Sequence, residues 1–101
     1  MNLEATLREQ ILLKLVEVID PETGVDVLRM QLVEELKVDE LAGRVSYSFR
    51  PSSPLCPLAL SLAADIKQAV GSVPGVRQQS ITVTHYVHAD ELTRRINQDE
   101  L

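Results

Sequence analysis

The chain has 101 residues, a formal net charge of −5, 45% hydrophobic residues, one Phe, two Tyr, no Trp and a single cysteine. That length suits one domain with a modest, aliphatic core. The acidic balance argues against nucleic acid or an anionic membrane as partner, since both need clustered Lys and Arg, and one cysteine excludes an internal disulfide or a CxxC metal site. No apolar run approaches bilayer length, and Met1–Asp20 carries Glu4, Arg8, Glu9, Lys14 and Glu17 at helical spacing, unlike a secretory signal. The expectation is a cytoplasmic protein with no membrane contact.

Leu3, Leu7, Ile11, Leu15 and Val18 recur at three- and four-residue steps, with Leu12, Val16 and Ile19 widening the stripe. This predicts an amphipathic first helix. Asn2 as its cap, or Thr6 with Glu9 as a capping box, are both open. The helix should stop near Ile19, because Asp20 precedes Pro21. "DPETG" (Asp20–Gly24) reads as a turn, and Val25–Leu28 as a short extended piece. A strand is expected over Met30–Val38, although Glu34 spoils its alternation, and "DELAG" (Asp39–Gly43) supplies a hairpin connection. Val45, Tyr47 and Phe49 alternate with Ser46, Ser48 and Arg50 as a second strand with one buried face.

"PSSPL" then breaks the sheet. Leu58, Leu62, Ile66 and Val70 predict a helix from about Pro57 to Val70, ended by "GSVPG". Ile81, Val83, His85 and Val87 alternate as a last strand, and Asp90 can cap a short final helix with Leu92 and Ile96 inward. The order α-β-β-α-β-α gives a two-layer α/β (α+β) domain: a small mixed sheet with a right-handed last crossover, helices on one face, and a C-terminal helix.

Chemistry centres on "RPSSPLCPLALSL", Arg50–Leu62. Cys56 precedes Pro57, and proline favours the first helical position. Cys56 is therefore read as the N-cap, its sulfur facing the free N–H groups of Leu58 and Ala59 and the positive end of the helix dipole. Such a setting lowers a thiol pKa, and Arg50, Ser52 and Ser53 could assist. A thiolate there could attack an electrophile or ligate a soft metal such as cluster iron. The competing reading is a buried cysteine that only fills space. A Cys–His enzyme would need His85 or His88 as base, but His85 falls on the apolar strand face, His88 at a strand end, and nothing orients either. On a strand the two histidines of "HYVH" point to opposite faces. No nucleophile elbow, P-loop or dinucleotide fingerprint is present. Asp20, Pro21 and Glu22 either simply turn the chain or bring Asp20 or Glu22 to the thiol loop as hydrogen-bonding partner or metal ligand.

The segment from "VIDPETGV" through "SSPLCPLALSLAADIKQAVGSVPGVRQQSITV" resembles the small domain shared by SufT-like and PaaD-like proteins of iron–sulfur cluster assembly. The resemblance spans about residues 7–84 and rests on Asp20-Pro21-Glu22, Ser53-Pro54-Leu55-Cys56-Pro57 and the "VPGV" turn, Val73–Val76. It implies an α/β domain over 1–101 that is no enzyme and acts as carrier or adaptor, helping to insert clusters into client apoproteins. Cys56 would be the functional thiolate and metal ligand for a transient iron–sulfur cluster, with Asp20, Glu22, Ser52 and Ser53 in supporting loops. It also implies an apoprotein client or assembly scaffold as partner, and a homodimer as one way to complete a cluster's ligands. The alternative is an interaction module with a structural Cys56, for example an accessory subunit in aromatic-compound oxidation. Ser52 falls where the family usually has Thr. Where the family commonly runs Asp-Leu-Gly-Leu, this chain has Arg29-Met30-Gln31-Leu32; Leu55 replaces a small residue, and residues 85–101 have no counterpart.

Overall fold

A computed structural model describes residues 6–21, 23–55 and 57–98. Its elements are α1 (Leu7–Leu15), β1 (Val33–Asp39), β2 (Arg44–Phe49), α2 (Ala59–Gly71), β3 (Gln78–Val83) and α3 (Ala89–Gln98). The sheet order is β1-β2-β3, with β1 antiparallel and β3 parallel to β2. This is the α-β-β-α-β-α order and mixed sheet read from the sequence. The core joins Leu7, Ile11 and Leu15 of α1, Leu62, Ile66 and Val70 of α2, and Val45, Tyr47, Phe49, Ile81 and Val83 of the sheet.

Of the two caps open to α1, the structure uses Thr6: its hydroxyl accepts from the Glu9 N–H at 3.1 Å, and the Glu9 carboxylate accepts from the Thr6 N–H at 3.1 Å. The helix ends at Leu15, four residues before the expected stop. Val18 and Ile19 are β-branched and favour extended chain, and here that chain finds a partner. Ile19 bridges Asp26, and the Val27 N–H donates to the Val18 carbonyl at 3.0 Å. The broad apolar stripe narrows accordingly, leaving Val16 and Ile19 about half exposed.

The first strand starts at Val33, not Met30, and its spoiled alternation has a structural cause. Glu34 pairs with Ser48 and Lys37 with Ser46, so β1 holds one extra residue over that interval. Glu35 sits inside the bulge at φ 56°. The bulge switches parity, so Val33, opposite Phe49, and Val38, opposite Val45, both share the inner face.

Tyr47 is buried under the helices, and its hydroxyl donates to Gln79 Oε1 at 3.0 Å. Gln79 Nε2 in turn donates to the Lys67 carbonyl at 3.0 Å, linking β2, β3 and α2. Burial pushes the Tyr47 phenol well above its ordinary value. The unfolded chain's phenol ionises near pH ~10 while the folded one stays neutral. Its contribution to stability is therefore intact below that pH and lost as pH rises above it. Tyr47→Phe should cost about 1 kcal/mol at neutral pH, because Gln79 Oε1 loses its donor. It should also flatten the alkaline fall of the urea midpoint relative to the parent, which paired urea titrations at neutral and alkaline pH would measure.

Candidate functional site

In open sheets with parallel strands, ligands bind beyond the carboxyl ends of those strands. Here those ends are Phe49 and Val83, paired with each other, and the chain leaves them as two loops, Arg50–Leu58 and Thr84–His88. Backbone bonds hold the loops together. The Thr84 N–H donates to the Phe49 carbonyl at 2.9 Å, and the Val87 N–H to the Pro54 carbonyl at 2.8 Å. Pro51 is buried, and the Ser53 hydroxyl accepts from the Leu55 N–H at 3.2 Å, a local turn that prolines on either side help to fix.

A third segment joins them. The Arg50 N–H donates to the Leu32 carbonyl at 2.7 Å. Met30, Gln31 and Leu32 then line a recess of about 300 Å³ with Arg50, Pro51 and Ser52. The Asp20 loop connects to the same turn, since the Thr23 hydroxyl donates to Met30 Sδ at 3.0 Å. Asp20 itself is 2% exposed. Its N–H donates to the Val25 carbonyl, and its carbonyl accepts from the Thr23 and Gly24 N–H groups. The "DPETG" and "PSSPL" segments thus reach one end of the sheet through the Met30–Leu32 turn, a juxtaposition the sequence left open.

Gln31 has φ 61°, the left-handed region. The glycine of the related pattern would sit there without strain, so this chain keeps the backbone and bears a steric penalty for its side chain. Gln31→Gly should therefore leave the fold unchanged and raise stability by up to about 1 kcal/mol, net of glycine's larger unfolded-state entropy. A urea midpoint shifted upward at constant slope is the expected reading.

Cys56 and Glu22 lie outside the described residues; the neighbours of Cys56, Leu55 and Pro57, are both exposed. The helix-cap expectation for Cys56 is corrected: α2 begins at Ala59, and its N-cap is Leu58, with φ −103°, ψ 12° and no side-chain cap. Pro57 and Leu58 are spent on a turn, so the free N–H groups begin two residues further along. Arg50 lies 4.0 Å from Glu34 of β1. Among the described residues, no group of three His, Cys, Asp or Glu side chains converges on a metal-sized point.

A family model described as an iron–sulfur cluster assembly protein matches residues 8–83. The chain belongs to that family. It is 29% identical over 93 residues to an uncharacterized protein of Methanocaldococcus jannaschii, covering 92% of this chain and 97% of the relative. It is 32% identical over 81 residues to the Fe-S protein maturation auxiliary factor YitW of Bacillus subtilis, covering 80% of this chain and 78% of the relative. The crystal structure of a domain of unknown function (DUF59) from Bacillus anthracis superposes with a TM-score of 0.69 at 29% identity, over 77% of this chain and 74% of that one. The α+β fold is therefore the family's.

The family match ends at Val83, the last residue of β3. Beyond it the sequence reading needs revision. His85 is not on the strand: it is exposed, at φ 54°. The chain turns there because the Thr84 bond to Phe49 ends the ladder. His88 is also exposed, edge-on to the Tyr86 ring with centroids 6.0 Å apart, and its carbonyl accepts the Leu92 N–H at the start of α3. Asp90 lies within the first turn of that helix and not at its cap. Alternation made Val87 look buried, yet it is 58% exposed, as are Leu55 at 72% and Leu60 at 50%. Sequence reasoning missed this apolar rim because nothing in the pattern shows that β3 stops at Val83.

Proposed function

We propose that this chain is a cytoplasmic, non-catalytic maturation factor, one domain over 1–101, that carries or hands over an iron–sulfur cluster, with Cys56 as its functional thiolate. The family match across residues 8–83 carries the reading, and the relative named as a maturation auxiliary factor supports it. In support, the described residues on either side of Cys56 belong to a segment bonded to the carboxyl ends of β2 and β3, through Arg50 to Leu32 and Pro54 to Val87, and the Asp20 loop bonds the same Met30–Leu32 turn. The cluster is cargo. One thiolate cannot hold a cluster that takes four, so transfer runs with thiolates from a client, from a second copy or from a small thiol. Ser52 and Ser53 serve as hydroxyls beside the cargo, and Asp20 and Glu22 as the supporting loop.

Anaerobic reconstitution with iron and sulfide tests this. Parent protein should develop cluster absorbance that Cys56→Ser lacks, and client maturation in cells should fall with the same change. Equal behaviour of parent and variant in both assays would overturn the thiolate role and leave an interaction module with a structural cysteine.

A further inference from the structure

The two edges of the sheet are protected in different ways. The β1 edge has Glu34, Glu35, Lys37 and Asp39, a bulge, and Arg8 of α1 donating to the Leu36 carbonyl at 2.9 Å. Charges and bulges of this kind blunt an edge against pairing with another chain. The β3 edge has none of them. Its sequence is "QQSITV", six residues with no charge, proline or glycine, the composition of a segment that pairs readily with copies of itself.

What lies on that edge is α3. Asn97 Oδ1 accepts from the Ile81 N–H at 2.9 Å, and Asn97 Nδ2 donates to the Ile81 carbonyl at 2.7 Å. One side-chain amide therefore makes the pair of bonds that a facing residue of an antiparallel strand would make. Thr93, one helical turn earlier, accepts from the Val83 N–H through its hydroxyl at 2.8 Å. Asn97 Nδ2 also donates to the Thr93 carbonyl at 2.8 Å, which fixes the amide's orientation. Leu92 and Ile96 are buried on the same helix, and Lys67 Nζ donates to the Ile96 carbonyl. A helix packed only by its apolar stripe would not need two polar side chains aimed at strand backbone.

We propose that α3 is an edge guard. It occupies the outer ladder of β3 through Thr93 and Asn97, and the surface it covers is an acceptor for the β3 edge of a second copy of this chain. The guard lies beyond the residues that the family model matches, which stop at Val83. The proposal is independent of cluster transfer.

The test is the full chain carrying Thr93→Val and Asn97→Leu, which keeps the helix and removes both polar side chains. Light scattering across a wide concentration range should show it associating one step beyond the parent. Adding Ser80→Lys, at an exposed position of β3, should return it to the parent's state. By amide hydrogen exchange, Ile81 and Val83 should exchange about tenfold faster in the dilute double variant and regain protection as concentration rises. A folded double variant that keeps the parent's assembly state, or association that Ser80→Lys does not reverse, overturns the proposal. Should the double variant not fold, the parent decides: Ile81 and Val83 amides must be protected and must open together with those of α3. Free exchange at either amide in the folded parent also overturns it.

Discussion

Gly43→Ala should be among the most damaging single changes outside the core, costing about 3 kcal/mol or more. Two penalties combine. Gly43 lies in the left-handed region at φ +73°, which an L side chain enters at a cost of about 1–3 kcal/mol. An added Cβ would also overlap the Gly75 carbonyl oxygen and come within 2.9 Å of Arg77 Cγ. The first of these is backbone, so relief requires the hairpin turn and the Val73–Val76 turn to separate. That separation would strain two bonds that start the parallel pairing of β2 with β3, because the Gly43 carbonyl accepts from the Arg77 N–H at 2.8 Å and the Gln78 N–H at 3.2 Å. Gly24→Ala is the control. Gly24 has the same φ of +73° but nothing within 4 Å of an added Cβ, so it should cost about 1 kcal/mol. Urea unfolding of both variants isolates the close approach as the difference. Equal midpoints would show that the two turns do not clasp.

The Gly43 clasp illustrates what was legible in the sequence and what was not. "DELAG" was readable as a hairpin turn, and Asp39 Oδ1 duly accepts from the Leu41 and Ala42 N–H groups. "VPGV" was readable as a turn too, and as part of the family resemblance. That the two turns touch is a long-range fact, with no trace in local composition. The same division holds elsewhere. Element order, the Thr6–Glu9 capping box and the inner face of β2 all follow from local patterns. The end of α1, the parity switch at Glu35 and the stop of β3 at Val83 depend on which partner the chain meets. The site divides in the same way. The prolines and the single cysteine marked the loop around Cys56, and Asp20-Pro21-Glu22 marked the first turn, but that both bond the Met30–Leu32 turn depends on the Leu32–Arg50 and Thr23–Met30 bonds. The proline rule put the helix cap at Cys56, and the turn through Leu58 moved it along the chain. The edge contacts of Asn97 were invisible, since an asparagine on a polar helix face carries no signature of strand backbone.

Phe49→Ala should cost about 3–5 kcal/mol, the range for removing a buried aromatic side chain. Phe49 is fully buried, lies between Val33 and Val83 in the sheet, and sits where the segments after β2 and β3 are anchored. Its carbonyl accepts from Thr84, and the next residue's N–H bonds Leu32. A domain of this size has only about 5–15 kcal/mol of stability, so the variant should melt at least 12 °C lower at 4–8 °C per kcal/mol. The milder Phe49→Leu keeps the fold and allows a local measurement. Val45→Ala makes the matching comparison, because Val45 is buried at the other end of the same strand. With overall stability matched by added denaturant, Phe49→Leu should raise the alkylation rate of Cys56 and Val45→Ala should not. Loosening the anchor at Phe49 frees the Arg50–Leu58 loop, whereas a void at Val45 opens the opposite, Gly43 end of the sheet. Equal rates in the two variants would mean that Phe49 does not hold the thiol loop in place.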